Sequence, residues 1–336
     1  MKFKGLFLVA VGFFAFGEAI AADANFYAGK KISLVVGSTT GGAIDGYARL
    51  LARHIGRHIP GNPAIVVQNM PGASGLVAVQ SLDTVAPRDG TTFATFASGQ
   101  IVQAITSSEK VKVKFSEFAW LGSVTEEARV CYMWGTTGVK TWEELLKRDQ
   151  VVMGDTGGGS ASVVNQRILH KIFGVKIKQI LGYPGGAEKR LAIERGELDG
   201  DCGPWPINPA SWLRDNKINL VLRFSHHVLA GMPESLTYVG DLVKEDPFKK
   251  GVIELLAASA RVGRPFIMSR SVPADRVQIM RSAFDATMND PQFIADAEKL
   301  AMIVSPFAGA EIEGYLKSLD AAPASVVEAA REILGE

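Results

Sequence analysis

The chain has 336 residues, and its 36 lysines and arginines against 35 aspartates and glutamates leave a formal net charge of +1. A balance so close to neutral, with no basic run, gives no electrostatic footing for nucleic acid. With the N-terminal leader set aside, roughly 315 residues remain, more than one hydrophobic core usually serves, so two domains are expected.

In chain order, Lys2 and Lys4 precede an apolar run from Leu6 to Phe16, and Ala19 and Ala21 follow. A basic start, a short apolar stretch and a small-residue pair read as a signal peptide over residues 1–21, cut after Ala21 and directing the chain to the periplasm. No later run approaches the eighteen or so unbroken apolar residues of a membrane helix, so the exported chain is expected to be soluble. Neither cysteine lies near the cleavage point, which argues against a lipid anchor.

The run Ile32 to Val36 enters Gly37-Ser38-Thr39-Thr40-Gly41-Gly42-Ala43-Ile44-Asp45 and then a helical pattern in which Tyr47, Leu50, Leu51 and Ile55 share a face. A second strand, Ile65 to Val67, reaches a Pro71-Gly72 turn and a second helix. A third, Thr91 to Phe96, ends in Ala97-Ser98-Gly99. The same device recurs: Val151 to Met153 enters Gly154-Asp155-Thr156-Gly157-Gly158-Gly159-Ser160-Ala161-Ser162, and Val164, Ile168, Leu169 and Ile172 continue as an amphipathic helix to Gly174. Ile177 to Ile180, Pro184-Gly185, and Leu198 to Cys202 before Gly203-Pro204-Trp205 complete the copy. Two consecutive β-α-β-α-β units predict two parallel sheets whose glycine-rich loops gather at the carboxyl edges of the strands.

After about residue 226 no third glycine-rich unit follows. Ile267-Met268 is strand-like, a helix opens near Pro273-Ala274-Asp275, and helical segments run through Leu300 and from Ala310 to Leu334. The chain is expected to leave the first lobe near Trp120 and to return near Phe224. The predicted architecture is α/β: residues 25–122 and 226–336 as lobe 1, residues 123–225 as lobe 2, and two crossing segments as a hinge.

Glycine in such loops lets backbone N–H groups converge, and a helix starting directly afterwards adds unsatisfied donors and a positive dipole end, so an anion is the natural guest. The loops lack the lysine of a P-loop and the G-x-G-x-x-G spacing of a dinucleotide site, which favours carboxylate over nucleotide. Against this stands the plainer reading, in which the glycines only make tight turns and Asp45 and Ser160 only cap helices.

No nucleophile elbow is present, the nearest sequence being Gly72-Ala73-Ser74-Gly75. His54 and His58 are four apart but sit beside Arg53 and Arg57 without a zinc-type carboxylate, and read as a solvated basic face. Asp199 and Asp201 alternate along a strand, one expected at solvent and one capping the strand end. Trp134 and Trp205 follow predicted strands at the cleft edge, as pocket walls or as core. No cofactor and no metal are expected. An oxidising compartment, two cysteines and neighbouring predicted strands make Cys131–Cys202 the expected disulfide, with two buried small hydrophobes as the other reading.

Several runs are familiar together: Gly37 to Asp45 with Ala48-Arg49-Leu50-Leu51-Ala52, Val66-Val67-Gln68-Asn69-Met70-Pro71-Gly72-Ala73, Ala86-Pro87-Arg88-Asp89-Gly90, Gly182-Tyr183-Pro184-Gly185-Gly186 and Val272-Pro273-Ala274-Asp275. From about Lys31 onward the chain resembles the Bug family, the TctC-like extracytoplasmic receptors of tripartite tricarboxylate transporters. The resemblance implies a type II, Venus-flytrap binding protein whose loops hold a mono- or dicarboxylate and pass it to integral membrane subunits. By position it assigns ligand binding to Ser38, Thr39, Thr40, Gly41, Gly42, Ala43, Ser98 and Gly99 in lobe 1, and to Thr156, Gly157, Gly158, Gly159 and Ser160 in lobe 2. Trp205 joins them from its place at the cleft edge. The chain departs from the family at Gly37-Ser38-Thr39-Thr40, at the absence of a histidine after the second loop's serines, and at Gly203-Pro204, all places where specificity is set. A monomer is expected. A ligand sensor for a membrane kinase has the same fold, and an exported hydrolase needs a nucleophile and base that no motif supplies.

Overall fold

The computed structural model describes residues 25–155, 160–184, 186–205 and 209–335. The leader expected at 1–21, the expected binding residues Thr156, Gly157, Gly158 and Gly159, and Gly185 of the second Pro-Gly turn lie outside the described residues.

Strands β1 (Lys31–Val36), β2 (Ala64–Asn69) and β3 (Thr92–Thr95) form a parallel ladder in the order β2-β1-β3, linked by helices α1 (Ala43–Ile55) and α2 (Leu76–Thr84). Helix α3 (Gly99–Thr106) and β4 (Ala119–Ser123) follow. The chain then crosses to a second sheet through β5 (Val130–Trp134), α4 (Trp142–Leu146), β6 (Val151–Asp155), α5 (Ala161–Phe173), β7 (Ile177–Leu181), α6 (Gly186–Glu194), β8 (Gly200–Asp201), α7 (Ser211–Arg214) and β9 (Ile218–Arg223). It returns through α8 (Pro247–Val262), β10 (Pro265–Met268), α9 (Ala274–Met288), α10 (Pro291–Lys299), β11 (Phe307–Ala308), α11 (Gly309–Asp320) and α12 (Ala324–Leu334). Among the described residues no helix is long and apolar enough to cross a membrane.

The internal repeat is visible in the topology, because the order β7-β6-β8, again parallel, reproduces β2-β1-β3. Both sheets are mixed beyond that unit. β10 pairs antiparallel with β3 and β4, and β5 pairs antiparallel with β8 and β9. These strands come from outside the repeated unit: β5 follows the outward crossing, and β10 follows the return.

Packing follows the strand period of two. Ile32, Leu34 and Val36 turn toward a cluster with Leu50, Phe284 and Phe293, whereas Val35 faces the opposite layer. That opposite layer holds Ala94 and Trp120 of the first sheet together with Met133 and Met153 of the second, joined through α5, α8 and α12. One apolar core is therefore shared between the two lobes. Helix α8 had no counterpart in the sequence reading, although its signals are local: Asp246 caps it by accepting from the Lys249 N–H, and Pro247 occupies its first turn.

Cys131 and Cys202 are joined in a disulfide, with Cα atoms 3.8 Å apart and a sequence separation of 71. The β5/β8 register, with Tyr132 opposite Asp201, sets the two cysteines side by side.

Candidate functional site

The first glycine-rich loop is braced from within. Asn69, at the end of β2, donates through Nδ2 to the Ser38 carbonyl at 2.9 Å and to Asp45 Oδ1 at 2.8 Å. Asp45 Oδ2 accepts from the Gly41 N–H and from Arg49 Nε, both at 2.9 Å. The Arg49 hydrogen bond, working against burial and helped by the Gly41 N–H, pulls the Asp45 carboxyl down to about 2. An internal carboxylate thus already occupies the start of α1. Backbone approach fixes the loop as well: a Cβ on Gly37 would lie 2.5 Å from the Gly75 Cα. The left-handed position is Gly41, at φ +89°, while Gly42 has φ −78° and needs no glycine for conformational reasons.

Two adjoining cavities open between the sheets. The larger, about 590 Å³, takes Ser38, Thr39, Gly42, Ala43, Ser98 and Gly99 on the lobe 1 side and meets α5 on the other. The smaller, about 430 Å³, takes Ser160 and Trp205. Thr40 and Gly41 line neither among the described residues. The Thr40 hydroxyl donates to Asn69 Oδ1 at 3.3 Å, and the Gly41 N–H is spent on Asp45. Ser98 donates its hydroxyl to the Ser259 carbonyl at 2.6 Å, tying the start of α3 to α8. Ser160 caps α5, its Oγ accepting from the Val163 N–H at 3.3 Å, and lines the cavity as well. Trp205 is 7% exposed and donates Nε1 to the Ala230 carbonyl at 3.0 Å.

Both cavities share Glu127, Arg129 and Arg264, which the sequence reading did not single out. Glu127 and Arg129 lie on the outward crossing, and Arg264 lies between α8 and β10. The Glu127 carboxylate accepts from Arg264 Nη1 at 2.6 Å and from Arg129 Nη2. Burial raises the Glu127 carboxyl, but the two guanidiniums outweigh it and the group titrates below the ordinary glutamate value. In the larger cavity these two cations face one anion, a positive excess, whereas the smaller also carries Glu126, Asp155 and Lys189 and is balanced. Arg129 and Arg264 side chains are only 16% and 17% exposed, and among the described residues Arg264 Nε is buried with no hydrogen-bond partner. Only the pairing in space marks these residues.

The smaller cavity has a charged wall. Lys189 Nζ donates to Asp155 Oδ2 at 2.9 Å and to Asp201 Oδ2 at 2.7 Å. Burial works against the ammonium, yet the two carboxylates hold Lys189 above its ordinary value. Asp201 is therefore a buried ion-pair partner rather than a solvated or capping residue, while Asp199 Oδ2 accepts from the Val152 N–H at 2.6 Å. Trp134 packs on Trp212 at 5.0 Å and belongs to the lobe 2 core.

His54 and His58 do not form a solvated face. They contact Asp296 at 3.1 Å and Asp290 at 2.8 Å, joining the end of α1 and the turn after it to α10 and its N-cap. Among the described residues no group of three or more His, Cys, Asp or Glu side chains is placed to hold a metal ion.

The two crossing segments are tied to each other. Glu126 of the outward crossing, itself buried, accepts from the backbone N–H groups of His226 and His227 on the return. Gly263, at φ +51°, brings the end of α8 against the same crossing, where an added Cβ would meet the Thr125 carbonyl oxygen at 1.9 Å.

No family profile matches the chain. A TctC solute-binding protein from Polaromonas superposes with a TM-score of 0.72 at 17% identity, covering 88% of this chain and 96% of that one. The chain has the fold of the TctC and Bug solute-binding proteins. MatC of Rhodopseudomonas palustris, solved with bound malate, gives a TM-score of 0.55 at 16% identity over 91% of this chain and 99% of its own. In sequence, a UPF0065 protein of Agrobacterium vitis, from the intergenic region between ttuE and ttuC', is 20% identical over 85% of this chain and 87% of its own. The periplasmic binding protein BugD superposes as well, with a TM-score of 0.57 at 19% identity over 91% of this chain and 98% of its own.

Proposed function

We propose that the protein is a periplasmic receptor, exported by cleavage after Ala21, that captures a small carboxylate between its lobes and delivers it to the membrane subunits of a tripartite tricarboxylate transporter. In this reading it is not an enzyme. Lobe 1 comprises residues 25–122 and 226–336, lobe 2 residues 123–225, and the crossings near residues 124–129 and 224–227 form the hinge. The carrying observation is the positive excess of Arg129 and Arg264 over Glu127 in the lining of the larger cavity between the lobes.

Charge-assisted bonds from guanidinium to carboxylate are short and strong, and a half-enclosed site screens them little. Ser38, Thr39, Gly42, Ala43, Ser98 and Gly99 contribute the lobe 1 wall, with Ser160 and Trp205 across the cleft. A ligand touching both walls has differential affinity for the closed arrangement, and that difference shifts the lobes toward closure. MatC, with its bound malate, supports a carboxylate as the guest on the same fold.

Thermal melting of the purified protein against a panel of carboxylates tests this reading. A true ligand at a hundred times its dissociation constant stabilises by about 2.7 kcal/mol. If a folded protein shows no shift with any carboxylate at millimolar concentration, the receptor reading fails.

A further inference from the structure

The larger cavity has two chemically different ends. Its polar end carries Ser98, Gly99, Arg129 and Arg264. Away from that end, Leu256 and Ile253 lie one and two turns back along α8 from Ala260, whose carbonyl accepts from the Glu127 N–H at 2.7 Å, and Val164 and Ile168 of α5 and Val102 of α3 complete a hydrocarbon lining. The amide side chains that border it are engaged internally, Gln100 with Gln103 at 3.1 Å and Asn165 with the Cys202 carbonyl at 3.0 Å. No cationic side chain other than Arg129 and Arg264 lines this cavity among the described residues.

A mainly apolar chamber with a few convergent polar groups at one end is the usual form of a site for an amphipathic small molecule. A second carboxylate at the hydrocarbon wall would lose its hydration with nothing to replace it. A short hydroxylated diacid, for its part, would leave that wall uncovered. The arginine cluster also carries the excess charge that one carboxylate neutralises.

We propose that this cavity selects a monocarboxylate with an apolar body, its carboxylate on Arg129 and Arg264 and its hydrocarbon against α5 and α8. The inference rests on the carboxylate-receptor reading and narrows it to a ligand class and to two specificity-determining arginines.

Calorimetric titration of the purified protein with butanoate, hexanoate, octanoate and malate decides the matter. Each methylene buried against the wall is expected to strengthen binding about fourfold, so octanoate should bind more than tenfold tighter than butanoate, and more tightly than malate. Arg264→Gln should weaken octanoate roughly ten- to a hundredfold, the range for a lost charge-assisted bond. Val164→Asn should weaken octanoate while leaving butanoate within about twofold, with circular dichroism confirming the fold of both variants.

The chain-length series needs no variant and stands even where a variant fails to fold. Malate binding more tightly than octanoate, affinity flat across the series, or a folded Arg264→Gln that binds octanoate as tightly as the parent would each overturn the inference and leave the receptor reading intact. Binding of none of the four, together with a silent melting panel, would remove both.

Discussion

Asp45 occupies the place where a bound anion would sit at the start of α1, so the first glycine-rich loop is part of the scaffold before it is part of any ligand site. Its depressed carboxyl links it to stability. An aspartate held at about 2 rather than the ordinary 3.8 contributes fully above the ordinary value, and the contribution is lost as the pH falls from about 4 to about 2. Arg49 is 42% exposed, so solvent screening limits the effect to ~1–2 kcal/mol. Asp45→Asn is therefore expected to lower unfolding free energy by that amount at pH 7 and by almost nothing at pH 2. Urea melts at the two pH values check it, and an equal loss at both would assign the effect to packing rather than charge. Asn69 belongs to the same brace. It falls within a run that the resemblance covers, but only its position at the end of β2, beside the loop, shows why an amide is needed there.

At the scale of elements, what local patterns encode was legible. β1 and α1, β6 and α5, the Pro71-Gly72 turn and the cysteine pair all rest on periodicity or punctuation within a few residues. The insertion of β10 between β3 and β4 was not legible, since a four-residue buried run such as Pro265 to Met268 carries no mark of its partners. For the same reason the ion-pair cluster stayed hidden: Glu127 and Arg264 are 137 residues apart, and nothing in either neighbourhood points to the other. Gly263 is the element-scale position that joins these features, because α8 ends there against the outward crossing. Gly263→Ala is expected to cost ~2 kcal/mol or more, from the positive φ and the collision with the Thr125 carbonyl together. Gly29→Ala, also at positive φ but with open space around its Cβ, provides the comparison in chemical melts. If the two variants lose the same stability, the close approach at the crossing carries no weight.

For the whole molecule, the shared core through α5, α8 and α12 means that the lobes are not two balls on a string. Arg167 of α5 reinforces that contact by donating to the Leu334 carbonyl at 2.7 Å near the end of α12. The place of β10 has a further consequence, in the order of assembly. Sheet 2 is built from one continuous stretch, β5 to β9, and the Cys131–Cys202 bridge closes inside it. Sheet 1 cannot be completed until the chain has made the second sheet, come back and laid β10 between β3 and β4. Contacts of such long sequence separation form late. Pulse-labelled hydrogen exchange during refolding is expected to protect β6 and β7 before β4 and β10, and simultaneous protection of both sets would contradict it. Until β10 arrives, β3 and β4 each present an unpaired edge, a template for the wrong neighbour. The newly made chain is therefore most exposed to misassembly in its first-synthesised strands, during the interval when sheet 2 is already formed and β10 has yet to arrive.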